Sequence, residues 1–189
     1  QFPLAHSFLL SQRGQKILSL LGPKDLAISL STTSFTIVAS IQLFALFMLW
    51  SPSKIVFALP FEFLIYILPI LYCLSWFLLI VATIDAGLEV QSGALGWISV
   101  LARNKPKFPE LPTTGLYKII RHPIYASFFL AVLTVPTWTA DQIVVSLILG
   151  GYCIFAPILK DRRLIERHGE KYLRYKNTTP YMLPSKIIK

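Results

Sequence analysis

Charged residues are scarce in this chain, and acidic residues are the scarcest. Only 14% of its 189 residues are Asp, Glu, Lys or Arg, with 9 acidic against 18 basic residues, whereas 54% are hydrophobic. A soluble domain carries about 25% charged residues. So few charges cannot cover a water-facing surface of this size. The composition therefore excludes an ordinary water-soluble domain and indicates that lipid is the solvent.

Cysteine is also rare, with 2 residues in the chain. Both of them, Cys73 and Cys153, fall in apolar stretches, where a free cysteine is typically a small buried hydrophobe. Two widely separated cysteines support neither a disulfide framework nor a metal cluster, so no metal site is predicted.

Long uncharged stretches predict an all-α polytopic membrane protein. Four of them reach or approach the roughly 20 residues that a spanning helix needs, at 26–53, 55–84 (interrupted only by Glu62), 123–140 and 142–159. We predict four full transmembrane helices in two hairpins, 26–84 and 123–160, within a single domain of residues 1–189. A long loop at 85–122 joins the hairpins. Residues 1–10 predict a partial N-terminal helix, 11–25 a short amphipathic entry segment, and 161–189 a polar tail that begins as a helix.

The basic residues predict the orientation of these spans. Threading the chain through four spans places every Lys and Arg except Lys54 on one side of the bilayer. By the positive-inside rule that side, with the C-terminus, is cytoplasmic or its equivalent in a bacterial inner or organellar membrane. Orientation and anionic lipid headgroups then account for the net charge of +9, so no nucleic-acid partner is predicted.

The densest polar cluster is Gly-Leu-Tyr-Lys-Ile-Ile-Arg-His-Pro-Ile-Tyr at 115–125. Arg121 and His122 precede a predicted spanning helix, and Pro123 suits its first turn. Free N–H groups at a helix start attract anions, and Arg121 adds positive charge. The cluster fits either a ligand with a carboxylate and a flat ring or an interfacial anchor facing lipid headgroups.

A second polar cluster, at 160–175, reads Lys-Asp-Arg-Arg-Leu-Ile-Glu-Arg-His-Gly-Glu-Lys-Tyr-Leu-Arg-Tyr. It leaves the membrane on the same predicted face as the first cluster, so it can fold back over it. The alternative is a charged helix that lies solvated at the interface.

Taken as a set, these motifs resemble the isoprenylcysteine carboxyl methyltransferase and phospholipid methyltransferase superfamily of integral-membrane enzymes. The matching pieces are Gly-Leu-Tyr with Arg-His-Pro-x-Tyr at 114–125, Gly-Glu-x-Tyr-x-x-Tyr at 169–175, and Pro180, which together cover about 108–184. Val-Pro-Thr-Trp-Thr-Ala-Asp at 135–141 and Ala-His-Ser at 5–7 are more similar to the nurim, methanethiol S-methyltransferase and NnrU-like branch. This second similarity extends the resemblance to most of the chain.

The resemblance implies S-adenosylmethionine as the cofactor. The acceptor that it implies is small or lipophilic (a thiol, carboxylate or amine) and is methylated at the membrane surface. Methyl transfer from a sulfonium depends mainly on binding and orientation, so no catalytic residue is assigned. The implied cofactor-binding residues are Leu111, Pro112, Tyr117, Arg121, His122, Pro123, Tyr125 and Asp161.

Two positions depart from the family's pattern. Lys160 stands where the family has a cofactor-contacting Glu, and Ala156 where the prenylcysteine enzymes have a substrate-binding Arg. These departures argue against prenylcysteine as the acceptor. They also keep open an alternative function, a catalytically inactive methyltransferase-like subunit of a larger membrane complex. Its partners would be other subunits in addition to membrane lipids. Haem ligation by His6 and His122, as in relatives of this branch, is disfavoured because no second signal supports it.

Overall fold

The computed structural model describes residues 1–21, 26–27 and 29–184. They are mostly helical, as predicted. The elements are α1 Phe2–Leu9, α2 Gln12–Leu18, a 3-10 turn Ser19–Leu21, α3 Ser31–Leu49, β1 Val56–Phe57, α4 Leu64–Asp85, α5 Leu88–Gln91, α6 Ala94–Leu101, α7 Leu116–Ile119, α8 Pro123–Leu133, β2 Trp138–Thr139, α9 Ala140–His168 and α10 Glu170–Thr178. Residues 22–25 of the predicted entry segment and 185–189 of the predicted tail lie outside the described residues.

The chain divides into two compact units, Gln1–Ser51 with Ala86–Glu110, and Pro52–Asp85 with the residues from Leu111 onward. The prediction of a single domain, and of α3 and α4 as one hairpin, stays a prediction. The first unit contains α1, α2, α3, α5 and α6. The second contains α4 and α7 to α10, with the strand pair.

In the first unit, α5 and α6 pack on α3. The Thr33 hydroxyl donates a hydrogen bond to the Gly93 carbonyl at 2.6 Å, and Gly93 has a φ of +76°, which an L side chain rarely adopts. The expectation of one long loop at 85–122 is therefore wrong, since α5, α6 and α7 all lie within it. Its apolar runs form helices between glycine turns.

The second unit is built on α4, α8 and α9, with α8 packed against both of the others. At one end of the unit, Val56 pairs with Thr139 and Phe57 with Trp138 in an antiparallel ribbon. At the same end the Ser146 hydroxyl donates to the Val132 carbonyl at 2.7 Å, which ties the end of α8 to the start of α9. The predicted second hairpin is thus present as α8 and α9.

The structure has three helices long and apolar enough to span a membrane among the described residues, rather than the four predicted: Ser31–Leu49, Leu64–Asp85 and Ala140–His168. Within the predicted third span at 123–140 the helix is α8, whose 11 residues reach about 17 Å, against a hydrocarbon core of about 30 Å; the short strand β2 follows it. The helix ends at Leu133 because Pro136 disfavours helical backbone at the residue before it. The 29 residues of α9 reach about 44 Å, so its charged C-terminal part extends beyond such a core.

The surfaces of α3 and α4 are apolar and exposed. Only 6% of the apolar window of each helix is buried, and exposed side chains include Phe44, Phe47, Ile70 and Phe77. Water would not tolerate such surfaces, whereas lipid does. The protein is therefore an integral membrane protein. The side of the membrane to which its basic face belongs stays a prediction.

Candidate functional site

The first part of the site is a tight turn that opens α7. Gly115 has a φ of +56°, and a Cβ there would lie 2.2 Å from Asp85 Oδ2. This close approach lets Asp85, the last residue of α4, accept the Leu116 N–H at 2.9 Å. The carboxylate thereby binds one of the free N–H groups at the start of α7. Gly115 is needed both for its backbone conformation and for the missing side chain.

The start of α8 is covered by the chain that follows α10. The Pro180 carbonyl accepts the Arg121 N–H at 2.8 Å, and the Tyr181 carbonyl accepts the His122 N–H at 3.3 Å. The rings of His122 and Tyr181 lie 5.0 Å apart. Pro123 is fully buried at the first helical position. The N–H groups just before α8, expected to attract an anion, are thus occupied by carbonyls of the chain itself.

Asp161 is the centre of the site. Its side chain is 7% exposed, and its Oδ1 lies 2.8 Å from His122 Nε2 and accepts the Tyr172 hydroxyl. Oδ2 lies 3.5 Å from Arg121 Nη2 and 3.8 Å from Lys176 Nζ. A buried carboxylate is tolerated only when it is paired in this way. Asp161, predicted to bind the cofactor, is therefore engaged by four side chains.

Burial decides the charge states around Asp161. Burial lowers the pKa of His122, although the hydrogen bond to Asp161 opposes the shift, so the imidazole is neutral at pH 7. Because Asp161 Oδ1 lies 2.8 Å from Nε2, the imidazole proton is favoured on Nε2, which leaves Nδ1 as an acceptor. Burial, followed by the hydrogen bond to Asp161, raises the pKa of Tyr172, so its hydroxyl remains a donor. The network therefore consists of one carboxylate, that of Asp161, surrounded by hydrogen-bond donors.

α10 closes over the first cluster, as the sequence predicts. The Tyr175 hydroxyl donates to the Tyr117 carbonyl at 2.6 Å, and Arg121 Nη1 donates to the Lys176 carbonyl at 2.7 Å. These contacts seat α10 against α7 and the start of α8. They explain the spacing of Gly-Glu-x-Tyr-x-x-Tyr, because residues three apart lie on one face of a helix.

An aromatic side of the site lies next to this network. Lys160 Nζ stands 5.6 Å from the ring centroid of Tyr125 and 6.0 Å from that of Tyr117. The rings of Tyr125 and His122 lie 6.2 Å apart. Two phenol faces therefore hold a cation, here the ammonium of the chain itself.

The Tyr117 hydroxyl, Arg121 Nε and His122 Nδ1 are buried without a hydrogen-bond partner in the described part of the chain, whereas His122 Nε2, which makes no hydrogen bond of good geometry, still lies 2.8 Å from Asp161 Oδ1. Burial raises the pKa of Tyr117, so its hydroxyl is a donor. A buried polar group without a partner costs about 1–3 kcal/mol. Two donors and one acceptor left open at one site are what a polar ligand would satisfy.

The structure thus brings most of the predicted site residues together. Arg121, His122 and Asp161 touch directly, and Tyr117 and Tyr125 lie beside them. Leu111 is buried and Pro112 partly buried in the segment before α7. Their predicted role in binding a cofactor stays a prediction.

The structure adds residues that the sequence did not single out, Tyr172, Tyr175, Lys176 and Tyr181. The first two belong to the quoted motif, so its spacing was a usable signal. For Tyr181 the sequence carries none.

Comparison with known proteins finds similarity to proteins named methanethiol S-methyltransferase. It is 30% identical over 153 residues to a protein of Pseudomonas deceptionensis named methanethiol S-methyltransferase, an alignment that covers 80% of this chain and 58% of that protein. A protein of the same name from Crocosphaera subtropica is 26% identical over 186 residues, covering 97% and 71%. Methanethiol S-methyltransferase 1 of Bradyrhizobium diazoefficiens is 26% identical over 153 residues, covering 80% and 54%.

The resemblance predicted from the motifs is confirmed, since these homologues are members of the isoprenylcysteine carboxyl methyltransferase-like membrane superfamily. The chain spans about three fifths of the length of the first curated relatives that it matches. No family model and no solved structure matches it.

Proposed function

We propose, from the premise that this chain is homologous to methanethiol S-methyltransferases, that it methylates a small thiol with S-adenosylmethionine as the donor. The observation that carries the proposal is the site around Tyr117 and His122, with open polar atoms beside two aromatic faces that hold a cation. The relatives' names supply the thiol. The comparisons do not support the alternative of an inactive subunit.

The residues present fit the chemistry of the donor. The faces of Tyr117 and Tyr125 already hold the Lys160 ammonium, so the open polar atoms beside them are the groups left for the donor. The open Tyr117 hydroxyl and Arg121 Nε–H suit the oxygen atoms of a carboxylate or ribose, and His122 Nδ1 suits a hydroxyl or amino hydrogen. Tyr117, Arg121 and His122 would hold the donor, which would supply an activated methyl group.

The chain's own contribution would be placement. Asp161 holds His122 and Arg121 in fixed orientations, and the contact of Tyr175 with the Tyr117 carbonyl fixes α7. A thiol placed in line with the sulfur–methyl bond then needs little acid–base help, because orientation supplies much of the rate. The site adjoins the end of α4, whose surface is apolar and exposed, which would let a lipophilic thiol arrive through the bilayer.

The direct test is product formation by the purified full chain in lipid nanodiscs. With S-adenosylmethionine and methanethiol, we expect dimethyl sulfide in the headspace and S-adenosylhomocysteine in solution. Calorimetry on the same preparation measures donor binding. Failure to bind millimolar donor would refute the enzymatic function and favour the inactive-subunit alternative. Donor binding without thiol methylation would refute the acceptor class.

Tyr117→Phe separates ligand binding from folding. The variant removes a hydroxyl that has no partner in the described part of the chain, so the thermal midpoint should not fall. Loss of one hydrogen bond to the donor, about 0.5–1.5 kcal/mol, should weaken donor binding roughly two- to tenfold. Lys118→Met, which changes an exposed neighbour on α7, is the control. Equal donor affinity in Tyr117→Phe and the control would remove Tyr117 from the site.

A further inference from the structure

Lys160 carries a charge that forms no ion pair among the described residues. It is partly buried, and its ammonium lies over the rings of Tyr117 and Tyr125. Asp161 is the next residue in the chain, but its oxygens are taken by Arg121, His122, Lys176 and Tyr172. Among the described residues no carboxylate lies within ion-pair distance of Lys160. Cation–π contacts hold such a charge without neutralising it.

A thiol acceptor needs a cation of this kind. The thiolate is the nucleophile, and an alkanethiol is mostly protonated at neutral pH. Desolvating an anion in a partly apolar site is costly unless a positive charge accompanies it. An opposite charge within about 4–6 Å lowers the pKa of an acid by roughly 1–3 units. A methyltransferase acting on small thiols therefore benefits from one unneutralised cation beside the acceptor.

We infer that the Lys160 ammonium binds the acceptor sulfur as its thiolate, an inference that rests on the proposed function. The thiol proton leaves to water. The thiolate electron pair then forms the new sulfur–methyl bond, and the old bond's pair stays on the departing sulfide. The titratable and charged groups facing Lys160 are Asp161 and Arg163 on α9, Tyr117 on α7, and His122 and Tyr125 at the start of α8. His122 is neutral and Asp161 is paired, so the local field at the acceptor is positive.

The expected size of the effect follows from two opposing trends. Lowering the thiol pKa by two units raises the thiolate fraction about 100-fold at neutral pH. The nucleophilicity of a thiolate falls as the pKa of its thiol falls, with a Brønsted coefficient of about 0.4–0.5. A drop of two pKa units therefore slows the thiolate roughly tenfold. The net gain is about tenfold. It disappears at alkaline pH, where the thiol ionises unaided.

The test is the pH profile of kcat/KM for methanethiol, measured on the full chain in nanodiscs for the wild type and Lys160→Met. We expect Lys160→Met to be about tenfold slower at neutral pH and to approach the wild type at alkaline pH. Donor affinity, measured by calorimetry, should not weaken, because an ammonium repels the sulfonium rather than binding it. Lys118→Met, an exposed lysine on α7, should keep the wild-type profile.

Lys160→Arg is the second variant. It can still refute the inference if Lys160→Met does not fold. Arginine retains its charge at every pH used, so its profile should keep the wild-type midpoint. A midpoint moved to that of the free thiol would overturn the inference. The inference would also be overturned if Lys160→Met lowered kcat/KM equally at all pH values, or if the loss of kcat/KM were matched by weaker donor binding. A wild type that binds donor but methylates no thiol overturns the proposed function together with this inference, whereas a pH-independent loss in an active enzyme overturns the inference alone.

Discussion

Removing the charge of Asp161 should be among the most destabilising conservative changes in the second unit. Asp161→Asn keeps the volume of the side chain but places an amide where two cations and two hydrogen-bond donors converge. Its remaining oxygen can still accept from His122 or Tyr172. The Arg121 side chain, only 10% exposed, would lose its carboxylate partner.

The magnitude can be worked from the burial of each partner. Lys176 is 38% exposed and 3.8 Å away, so solvent screens it and its contribution is small. Arg121 and His122 are buried, and breaking a buried pair by removing one partner costs about 3–5 kcal/mol. In a chain of this size that lowers the thermal midpoint by roughly 6–20 °C, at about 2–4 °C per kcal/mol.

The assay is thermal unfolding in detergent, followed by tryptophan fluorescence. Glu166→Gln is the matched control, because it removes one negative charge from an exposed position of the same helix. Surface changes of this kind stay within about 0.5 kcal/mol. A double-mutant cycle of Asp161→Asn with Tyr172→Phe should show coupling above that level. Equal midpoints for Asp161→Asn and Glu166→Gln would refute the central role given to Asp161.

Two further predictions concern the backbone turn and the buried imidazole. Gly115→Ala should lower the thermal midpoint by several degrees, because the φ of Gly115 is +56° and a Cβ there would clash with the Asp85 carboxylate. The control Gly151→Ala, where a Cβ would have no neighbour within 4 Å, should leave the midpoint unchanged. Similar midpoints for both variants would contradict the role of the turn. For His122, whose pKa is lowered in the folded protein, the unfolded chain binds a proton below about pH 6.5 before the folded one does. Stability should therefore be full above that pH and fall as the pH drops towards the folded pKa. His122→Asn should flatten this part of a midpoint-against-pH curve, and an unchanged slope would count against a buried neutral imidazole.

Much of the candidate site could be predicted because its residues belong to local motifs. Arg121, His122 and Pro123 are adjacent in the chain, and the helix start they form is set by local backbone preferences. The span count could not be predicted in the same way. Hydropathy measures only the run of residues without charge, and 123–140 is uncharged throughout, although Pro136 ends the helix early.

The sequence alone indicated that this protein lies in lipid and that it resembles membrane methyltransferases. The small number of charged residues excluded water as the solvent for most of the surface. A single chain of this size cannot bury all of its apolar side chains in its own core. Only the tertiary structure decided which groups neutralise each other. Asp161 could have formed an ion pair with Lys160, its neighbour in the chain. In the folded protein its carboxylate instead contacts Arg121 and His122 at the start of α8 and Tyr172 on α10. Coulomb interactions depend on distance in space, which residue order does not supply. That choice leaves the Lys160 ammonium over two tyrosine rings, where it can meet a ligand.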